Sequence, residues 1–126
     1  MPKVILIAED DDDVRDLAEL VVGDLGYEVI SAPDGAAALI AFRAQAADAL
    51  FTEIMMPRMN GQQLVAEIRR LNPQLPVICT SGYEDIGDKQ VPCEVFLRKP
   101  YKADHLRAVL RRVVGEPNEG PAVRAW

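Results

Sequence analysis

The sequence predicts an α/β domain built on a buried parallel β-sheet. Five short apolar runs, each too short for a helix, lie at 4–8, 27–32, 49–52, 77–80 and 95–97. Most are rich in Val, Ile or Leu without strict alternation, which is typical of strands covered on both faces. Stretches with helical periodicity separate the runs, and strands alternating with helices favour right-handed parallel crossovers and a doubly wound sheet.

The helices between the first four runs have clear boundaries. Apolar residues from 14 to 25 recur at spacings of three and four, and Gly26 follows them, where a helix end favours a left-handed residue. Asp34 is well placed to cap the second helix. The third helix should end before Asn72, because Pro73 disfavours helical backbone at the residue that precedes it.

The last part of the chain is less regular. Between Ser81 and Val95 few apolar residues are available, and Gly87 and Pro92 oppose a long helix. We expect one or two helical turns or a loop there, and we expect residues 83–94 to be the most mobile part of the domain. A final helix is indicated at 106–113. The folded domain then covers 1–114, and the Pro- and Gly-containing residues 115–126 form a flexible tail.

Composition excludes several classes of function. The chain has 126 residues, 49% of them hydrophobic, which suits one ordinary domain, and its net charge of −6 disfavours nucleic-acid binding. No apolar run approaches the ~20 residues that cross a bilayer. The apolar N-terminal run continues directly into acidic residues, unlike a signal peptide. Cys79 and Cys93 form neither a metal motif nor a disulfide framework. We therefore expect a cytoplasmic protein that contacts neither nucleic acid nor membrane.

Polar side chains follow four of the predicted strands. They are Glu9 and Asp10, Glu53, Ser81 and Gly82, and Lys99 and Pro100. In a doubly wound sheet, ligands bind beyond the carboxyl ends of the strands. Two carboxylates ~4 Å apart repel by roughly 4 kcal/mol at an effective dielectric of 20, and Mg²⁺, which takes oxygen ligands, offsets that repulsion. The acidic run at 11–13 is instead typical of a solvated helix start.

Four motifs carry a family resemblance. VILIAED at 4–10, IMMPRMNG at 54–61, PVICTSGY at 76–83 and FLRKP at 96–100 resemble, in order, those of a two-component response-regulator receiver domain. The resemblance covers roughly residues 2–114. It implies a flavodoxin-like, five-stranded parallel sheet in the order 2-1-3-4-5 with helices on both faces. It also implies a histidine kinase or histidine phosphotransfer protein as partner, an unknown protein target, and a monomer or weak dimer.

The resemblance assigns roles to individual residues. Glu9 and Asp10 resemble the acidic pair that holds Mg²⁺, with the Met55 carbonyl as a further ligand and Glu53 completing the acidic pocket. Binding of Mg²⁺ is expected to be weak. The remaining assignments are the switch hydroxyl at Ser81, a close backbone approach at Gly82, the switch aromatic at Phe96, the phosphoryl-binding lysine at Lys99, and a cis peptide bond before Pro100.

Glu53 departs from the family pattern, because the family accepts phosphate on an aspartate at this position. Glutamate carries its carboxylate ~1.5 Å further, about one C–C bond, and ~1 Å of misplacement can cost 10²-fold in rate. Three interpretations stay open. Glu53 is a stand-in for phosphoaspartate, or a pseudo-acceptor that keeps the fold but not the switch, or a still phosphorylated or introduced residue in an ordinary receiver. A stand-in predicts that Glu53 reaches Lys99 and Ser81 and that Phe96 packs inward.

Two enzyme-like or nucleotide-binding alternatives are weaker. A small Mg²⁺-dependent phosphohydrolase needs a general acid or base, and the single histidine, His105, lies on the last helix away from the strand ends. A nucleotide-binding domain would have a glycine-rich turn after the first strand, where this chain has carboxylates. Too few residues follow Val114 for an output domain. We therefore expect a stand-alone receiver that acts by protein contact and is not an enzyme.

Overall fold

The computed structural model describes residues 2–82 and 92–118. In this part of the chain, the elements follow in the order β1 (Val4–Ala8), α1 (Asp12–Asp24), β2 (Glu28–Ala32), α2 (Gly35–Ala44), β3 (Ala49–Glu53), α3 (Gly61–Leu71), β4 (Val77–Ser81), β5 (Val95–Arg98) and α4 (Ala103–Val113). The expected short helix or loop between β4 and β5, and the mobility expected of it, fall largely outside the described residues.

One parallel sheet has the order β2-β1-β3-β4-β5, as the resemblance implies. Every residue of the three inner strands β1, β3 and β4 is buried. The edge strands β2 and β5 are partly exposed. This burial explains why the inner strands read as continuous apolar runs, since both of their faces are covered by helices.

Two apolar layers cover the faces of the sheet. On one face, α2 and α3 pack through residues such as Leu39 and Leu64 against alternate residues of the inner strands. On the other face, α1 and α4 do the same, with Val22 and Leu106 completely buried. Full burial of an aliphatic side chain contributes about 1.5–3 kcal/mol to the stability of the fold. These layers therefore stabilise the sheet, whose carboxyl edge carries the polar residues.

Side-chain caps fix where the helices begin. The Asp34 carboxylate accepts a 2.8 Å hydrogen bond from the Ala37 N–H, which confirms the predicted cap of α2. Asn60 and Gln63 form a reciprocal capping box at the start of α3, a feature that the sequence reading did not identify. Gly26 has a φ of 103°, the left-handed conformation predicted for the residue that follows α1.

The loop between β3 and α3 lies very close to the end of β3. A Cβ added at Gly61 would lie 2.4 Å from the backbone oxygen of Glu53, so only glycine fits. Arg58, in the same loop, has a φ of 67° and its guanidinium lies 2.8 Å from the Asp34 carboxylate. These contacts hold the backbone that presents Glu53.

The segment after α4 differs from the sequence expectation. The sequence predicts a flexible tail over 115–126, but Pro117 is buried and its carbonyl accepts a 2.7 Å hydrogen bond from the backbone N–H of Lys3. The Tyr27 hydroxyl donates to the Gly115 carbonyl. The segment therefore packs on the domain, because its carbonyl groups accept hydrogen bonds from residues that directly precede the amino ends of β1 and β2. Residues 119–126 lie outside the described part of the chain.

Among the described helices, none is both long and apolar enough to cross a membrane. His105 lies exposed in the first turn of α4.

Candidate functional site

The carboxyl ends of four strands bring the predicted polar residues together. Glu9 directly follows β1, Glu53 ends β3, Ser81 ends β4 and Lys99 follows β5. Glu53 and Lys99 line a cavity of about 330 Å³, together with Asp10, Asp11, Met55 and Gly82. The parallel strand order puts all of these ends at one edge, which is the usual binding edge of such a sheet.

Lys99 bridges two buried carboxylates. Its Nζ lies 2.6 Å from Glu53 Oε1 and 2.8 Å from Glu9 Oε1. The carboxylate side chains are only 5% and 4% exposed, so solvent screens these contacts little. The backbone N–H of Lys99 also donates a 2.9 Å hydrogen bond to the Ser81 carbonyl, which fixes the backbone of the lysine beside the end of β4. The ion pair that the sequence predicted between Glu53 and Lys99 is confirmed.

The second oxygen of Glu53 is bound by the backbone of its own strand end. Oε2 accepts hydrogen bonds from the Ile54 N–H at 2.7 Å and from the Met55 N–H at 3.0 Å. Together with Lys99, these donors engage both carboxylate oxygens. Charge-assisted hydrogen bonds are roughly twice as strong as neutral ones, so the Glu53 side chain has a well-defined position.

Burial and charge shift the protonation of the site. Burial raises the pKa of Glu9, and the hydrogen bond from Lys99 offsets only part of this effect. At Lys99 the hydrogen bonds outweigh burial. Burial alone would lower the pKa of the ammonium, but the hydrogen bonds to Glu53 and Glu9 have the larger effect and raise it. Burial, followed by the negative charge of Glu9, raises the pKa of Tyr101 to about 12. Lys99 is therefore a cation and Tyr101 a neutral phenol at neutral pH.

Three carboxylates at the cleft have the chemistry of a divalent-cation site. Glu9, Asp10 and Glu53 each offer one oxygen, and these oxygens lie within 4.8 Å of one another. Hard oxygen donors beside an open cavity fit Mg²⁺, which keeps several of its waters. The Lys99 ammonium contacts two of the same three carboxylates. A bound cation and Lys99 therefore compete for the same negative charge.

The predicted switch residues lie in different environments. Ser81 is completely buried, whereas Phe96 is 38% exposed. The inward packing of Phe96 that a phosphate stand-in predicts is therefore not found. Alternation along β5 places Leu97, instead of Phe96, in the layer with α1 and α4. At Gly82, an added Cβ would lie 3.8 Å from Lys99 Cβ, an ordinary van der Waals contact.

Other features of the site include one confirmed prediction and two residues, Tyr101 and Thr80, to which the sequence analysis gives no role. The peptide bond between Lys99 and Pro100 is cis, as predicted. Tyr101 packs edge-on against Phe51, with ring centroids 5.8 Å apart. The Thr80 hydroxyl is buried, with no hydrogen-bond partner among the described residues. The aromatic directly after the Lys-Pro pair and the hydroxyl before Ser81 were the available sequence signals for these two residues.

Strand order and cleft together define a flavodoxin-like domain with a receiver-type site. The family model for the response regulator receiver domain matches residues 5–111, and the chain belongs to this family. It is accordingly a receiver domain of two-component signalling.

Curated relatives agree with this assignment. The probable transcriptional regulator ycf27 of Galdieria sulphuraria is 33% identical over 117 residues, which cover 86% of this chain and 46% of the relative. The response regulator MprA of Mycobacterium sp. (strain KMS) is 30% identical over 129 residues, which cover 96% of this chain and 55% of the relative. The chain thus spans about half the length of the curated relatives that it matches.

Solved structures show the same domain on its own. The receiver domain of NtrX from Brucella abortus has a TM-score of 0.80 at 34% identity, covering 87% of this chain and 97% of that one. The receiver domain of the sensor histidine kinase PA1611 from Pseudomonas aeruginosa PAO1 has a TM-score of 0.83 at 27% identity, covering 91% and 99%. In the latter structure, a magnesium ion is coordinated in the active site cleft.

Proposed function

We propose that this receiver transmits its signal by protein contact, without being phosphorylated at the usual position. Glu53 stands where the family has its acceptor aspartate. Its carboxylate is buried and bound on both oxygens, by Lys99 at 2.6 Å and by the Ile54 and Met55 N–H groups. This engaged carboxylate is the observation that carries the proposal, because an acceptor needs an oxygen free for in-line attack on a phosphoryl donor.

The ion pairs of Lys99 with Glu53 and Glu9 also reduce the free energy that a phosphoryl group could contribute to a change of conformation. A ligand shifts a two-state equilibrium only by its differential affinity for the two states. Lys99 already binds Glu53 and Glu9, so an incoming phosphoryl group would have to displace two existing partners. Glu53 thus supplies, without phosphorylation, one part of the phosphorylated arrangement, which is the negative charge that faces the lysine.

Glu53 does not complete the arrangement expected of an activated receiver. A carboxylate has one negative charge and a planar shape, whereas a phosphoryl group carries nearly two charges and three acceptor oxygens. The 38% exposure of Phe96 agrees with this difference, since the aromatic lies outward. Of the three interpretations of Glu53, these observations favour the pseudo-acceptor, which keeps the receiver fold and site but not the phosphorylation-driven switch.

The proposed partners follow from the class of domain. We assign a histidine kinase or a histidine phosphotransfer protein as the upstream contact and a protein as the downstream target. Weak Mg²⁺ binding by Glu9, Asp10 and Glu53 is part of the proposal. It is supported by the spacing of their oxygens and by the magnesium ion in the cleft of the PA1611 receiver domain.

Treatment with acetyl phosphate and Mg²⁺ tests the proposal. Intact-mass spectrometry should show no phosphoryl group on the parent protein and a gain of one on Glu53→Asp, which restores the shorter acceptor. Glu53→Gln is the matched control and should gain none. The proposal is overturned if the parent is phosphorylated as fully as Glu53→Asp, or if Glu53→Asp stays unmodified while it is folded.

A magnesium titration followed by NMR tests the metal site separately. Amide resonances around Glu9 and Asp10 should shift in the parent, and should shift at lower Mg²⁺ concentrations in Glu53→Asp. Unmoved resonances in both proteins would exclude the site.

A further inference from the structure

Two helices on one face of the sheet carry opposite charges. α1 and α4 pack against each other and on the same apolar layer. Positions 11–24 contain six acidic residues and one base, Arg15. Positions 102–113 contain four basic residues and one acid, Asp104. This face of the domain is therefore divided into an acidic helix and a basic helix.

The two helices do not neutralise each other within the domain. Ion pairs join Arg15 to Asp12 at 2.7 Å and Arg107 to Asp104 at 3.0 Å, each within its own helix. In the described part of the chain, no ion pair joins α1 to α4. The exposed side chains of Asp16 and Arg112 belong to no ion pair among these residues. Both helices therefore present charge to the outside of the molecule.

Two large apolar side chains lie exposed in the middle of the acidic helix. Residues at spacings of three and four share one face of a helix, and the exposed face of α1 contains Asp13, Asp16, Leu17, Leu20 and Asp24. Leu17 is 44% exposed and Leu20 is 66% exposed. Midway along α4 the exposed residue is Ala108, whose small side chain leaves room for a leucine. The two exposed faces are therefore complementary in size as well as in charge.

The directions of the helices allow this match only between two copies. α1 begins at the carboxyl edge of the sheet and leads to β2, and α4 also ends at the amino edge, where Lys3 Nζ donates to the Val114 carbonyl. The two helices therefore run in the same direction within one copy. A two-fold axis perpendicular to them places α1 of one copy antiparallel to α4 of the other, and forms the same contact twice. The acidic start of α1 then meets the basic end of α4, and the helix dipoles are opposed.

We propose that two copies of this chain form a weak symmetric dimer in which α1 of each copy packs on α4 of the other. Leu17 and Leu20 of one copy cover Ala108 of the second, and Asp16 faces Arg112 of the second. The net charge of −6 on each copy opposes the encounter, so the dimer depends on the local pairing of charges and forms at high protein concentration. The inference is independent of the proposed role of Glu53.

Sedimentation equilibrium of the full chain, from micromolar to millimolar concentration, tests the dimer. The mass of the parent should rise towards twice that of the monomer, and Leu20→Glu should raise the dimer Kd by about tenfold or more, because it adds a like charge to the contact. Ile40→Glu is the matched control and should associate as the parent does, since Ile40 is 68% exposed on α2, at the opposite face of the sheet. The inference is overturned if the parent stays monomeric at millimolar concentration, or if the two glutamate variants weaken association equally.

Charge reversal tests the pairing of the helices, with variants at exposed positions that leave the core intact. Asp16→Arg and Arg112→Asp each bring like charges together and should each raise the dimer Kd by about tenfold. The double variant restores opposite charges and should recover most of the affinity of the parent. Single variants that associate as tightly as the parent, or a double variant as weak as the singles, would overturn the pairing of α1 with α4. A monomeric parent whose α1 amide resonances shift when residues 119–126 are deleted would assign the surface to that segment, and would equally overturn the dimer.

Discussion

Lys99 Nζ lies 2.6 Å from the Glu53 carboxylate, at the carboxyl edge of the sheet. Glu53 therefore provides an intramolecular anion for Lys99. The contact is strengthened by Glu9, whose carboxylate lies 2.8 Å from the same ammonium. The cleft thus contains its own cation, and the behaviour of this cation leads to the first prediction.

Lys99→Met should destabilise the protein and increase its affinity for Mg²⁺. The substitution leaves the buried Glu9 and Glu53 carboxylates without their cation, and breaking a buried pair costs about 3–5 kcal/mol. The free energy of unfolding, measured by urea denaturation at neutral pH, should fall by this amount and recover partly when Mg²⁺ is added. Lys102→Met, at an exposed position, is the matched control. An unchanged affinity for Mg²⁺ would contradict the idea that Lys99 and the cation compete.

Gly61→Ala should lower the free energy of unfolding by about 1–3 kcal/mol, the usual cost of overpacking. The new methyl group would lie 2.4 Å from the Glu53 backbone oxygen, so the end of β3 has to move. Gly23→Ala is the control, because nothing lies within 4 Å of a Cβ at Gly23 in α1. That change should stabilise the protein by about 0.5–1 kcal/mol. Equal unfolding midpoints for the two variants would show that the close approach at Gly61 is not rigid.

Asp34 should contribute to stability in a pH-dependent way. The Ala37 N–H, followed by Arg58, holds the pKa of Asp34 below its ordinary value. The stabilisation is therefore complete above the unfolded pKa, about 3.9, and is lost as pH falls through the lower folded pKa. Asp34→Asn keeps a capping oxygen but removes the negative charge at the start of α2, so it should cost about 0.3–1 kcal/mol at pH 7, and this difference should shrink below about pH 4. Urea denaturation across this range measures it, with Asp16→Asn as an exposed control. A constant difference from pH 7 to pH 3 would argue against the charge of Asp34 as the cause.

Removal of all residues after Val114 should destabilise the domain by about 2 kcal/mol, on the scale of two hydrogen bonds of about 1 kcal/mol each. The truncation deletes the acceptor at Pro117 for the Lys3 N–H and the acceptor at Gly115 for the Tyr27 hydroxyl. Glu116→Ala keeps both backbone acceptors and changes only an exposed side chain, so it should stay within about 0.5 kcal/mol of the parent. The packing of residues 115–118 would be unimportant if the truncated protein unfolded at the same urea concentration as the parent.

Local patterns account for most of the fold that the sequence predicts. The five apolar runs became the five strands, with ends that differ by one residue at most, because burial on both faces leaves a direct compositional trace. The predicted cap at Asp34 and the left-handed Gly26 were confirmed for a similar reason, since both depend on backbone groups within a few residues. The capping box of Asn60 could have been read from the same kind of signal.

The packing of residues 115–118 and the exposure of Phe96 could not be predicted in this way. Pro and Gly in a terminal segment are typical of a tail, and only the nearby Lys3 and Tyr27 donors make it dock. Phe96 matches the switch aromatic in the motif, but its exposure depends on which face of an edge strand it occupies and on what lies beside that strand.

By itself, the sequence determined the strand order, through the family resemblance, and the group of residues at the carboxyl edge of the sheet. In a parallel sheet, the carboxyl ends of the strands lie at the same edge, independently of the side-chain conformations. Only the tertiary structure decided that Lys99 lies between Glu9 and Glu53 and that the second oxygen of Glu53 turns to the backbone. These relationships depend on distances of a few ångströms between residues far apart in the chain. Periodicity and spacing record which face a residue occupies, but they do not record its partner on a neighbouring strand.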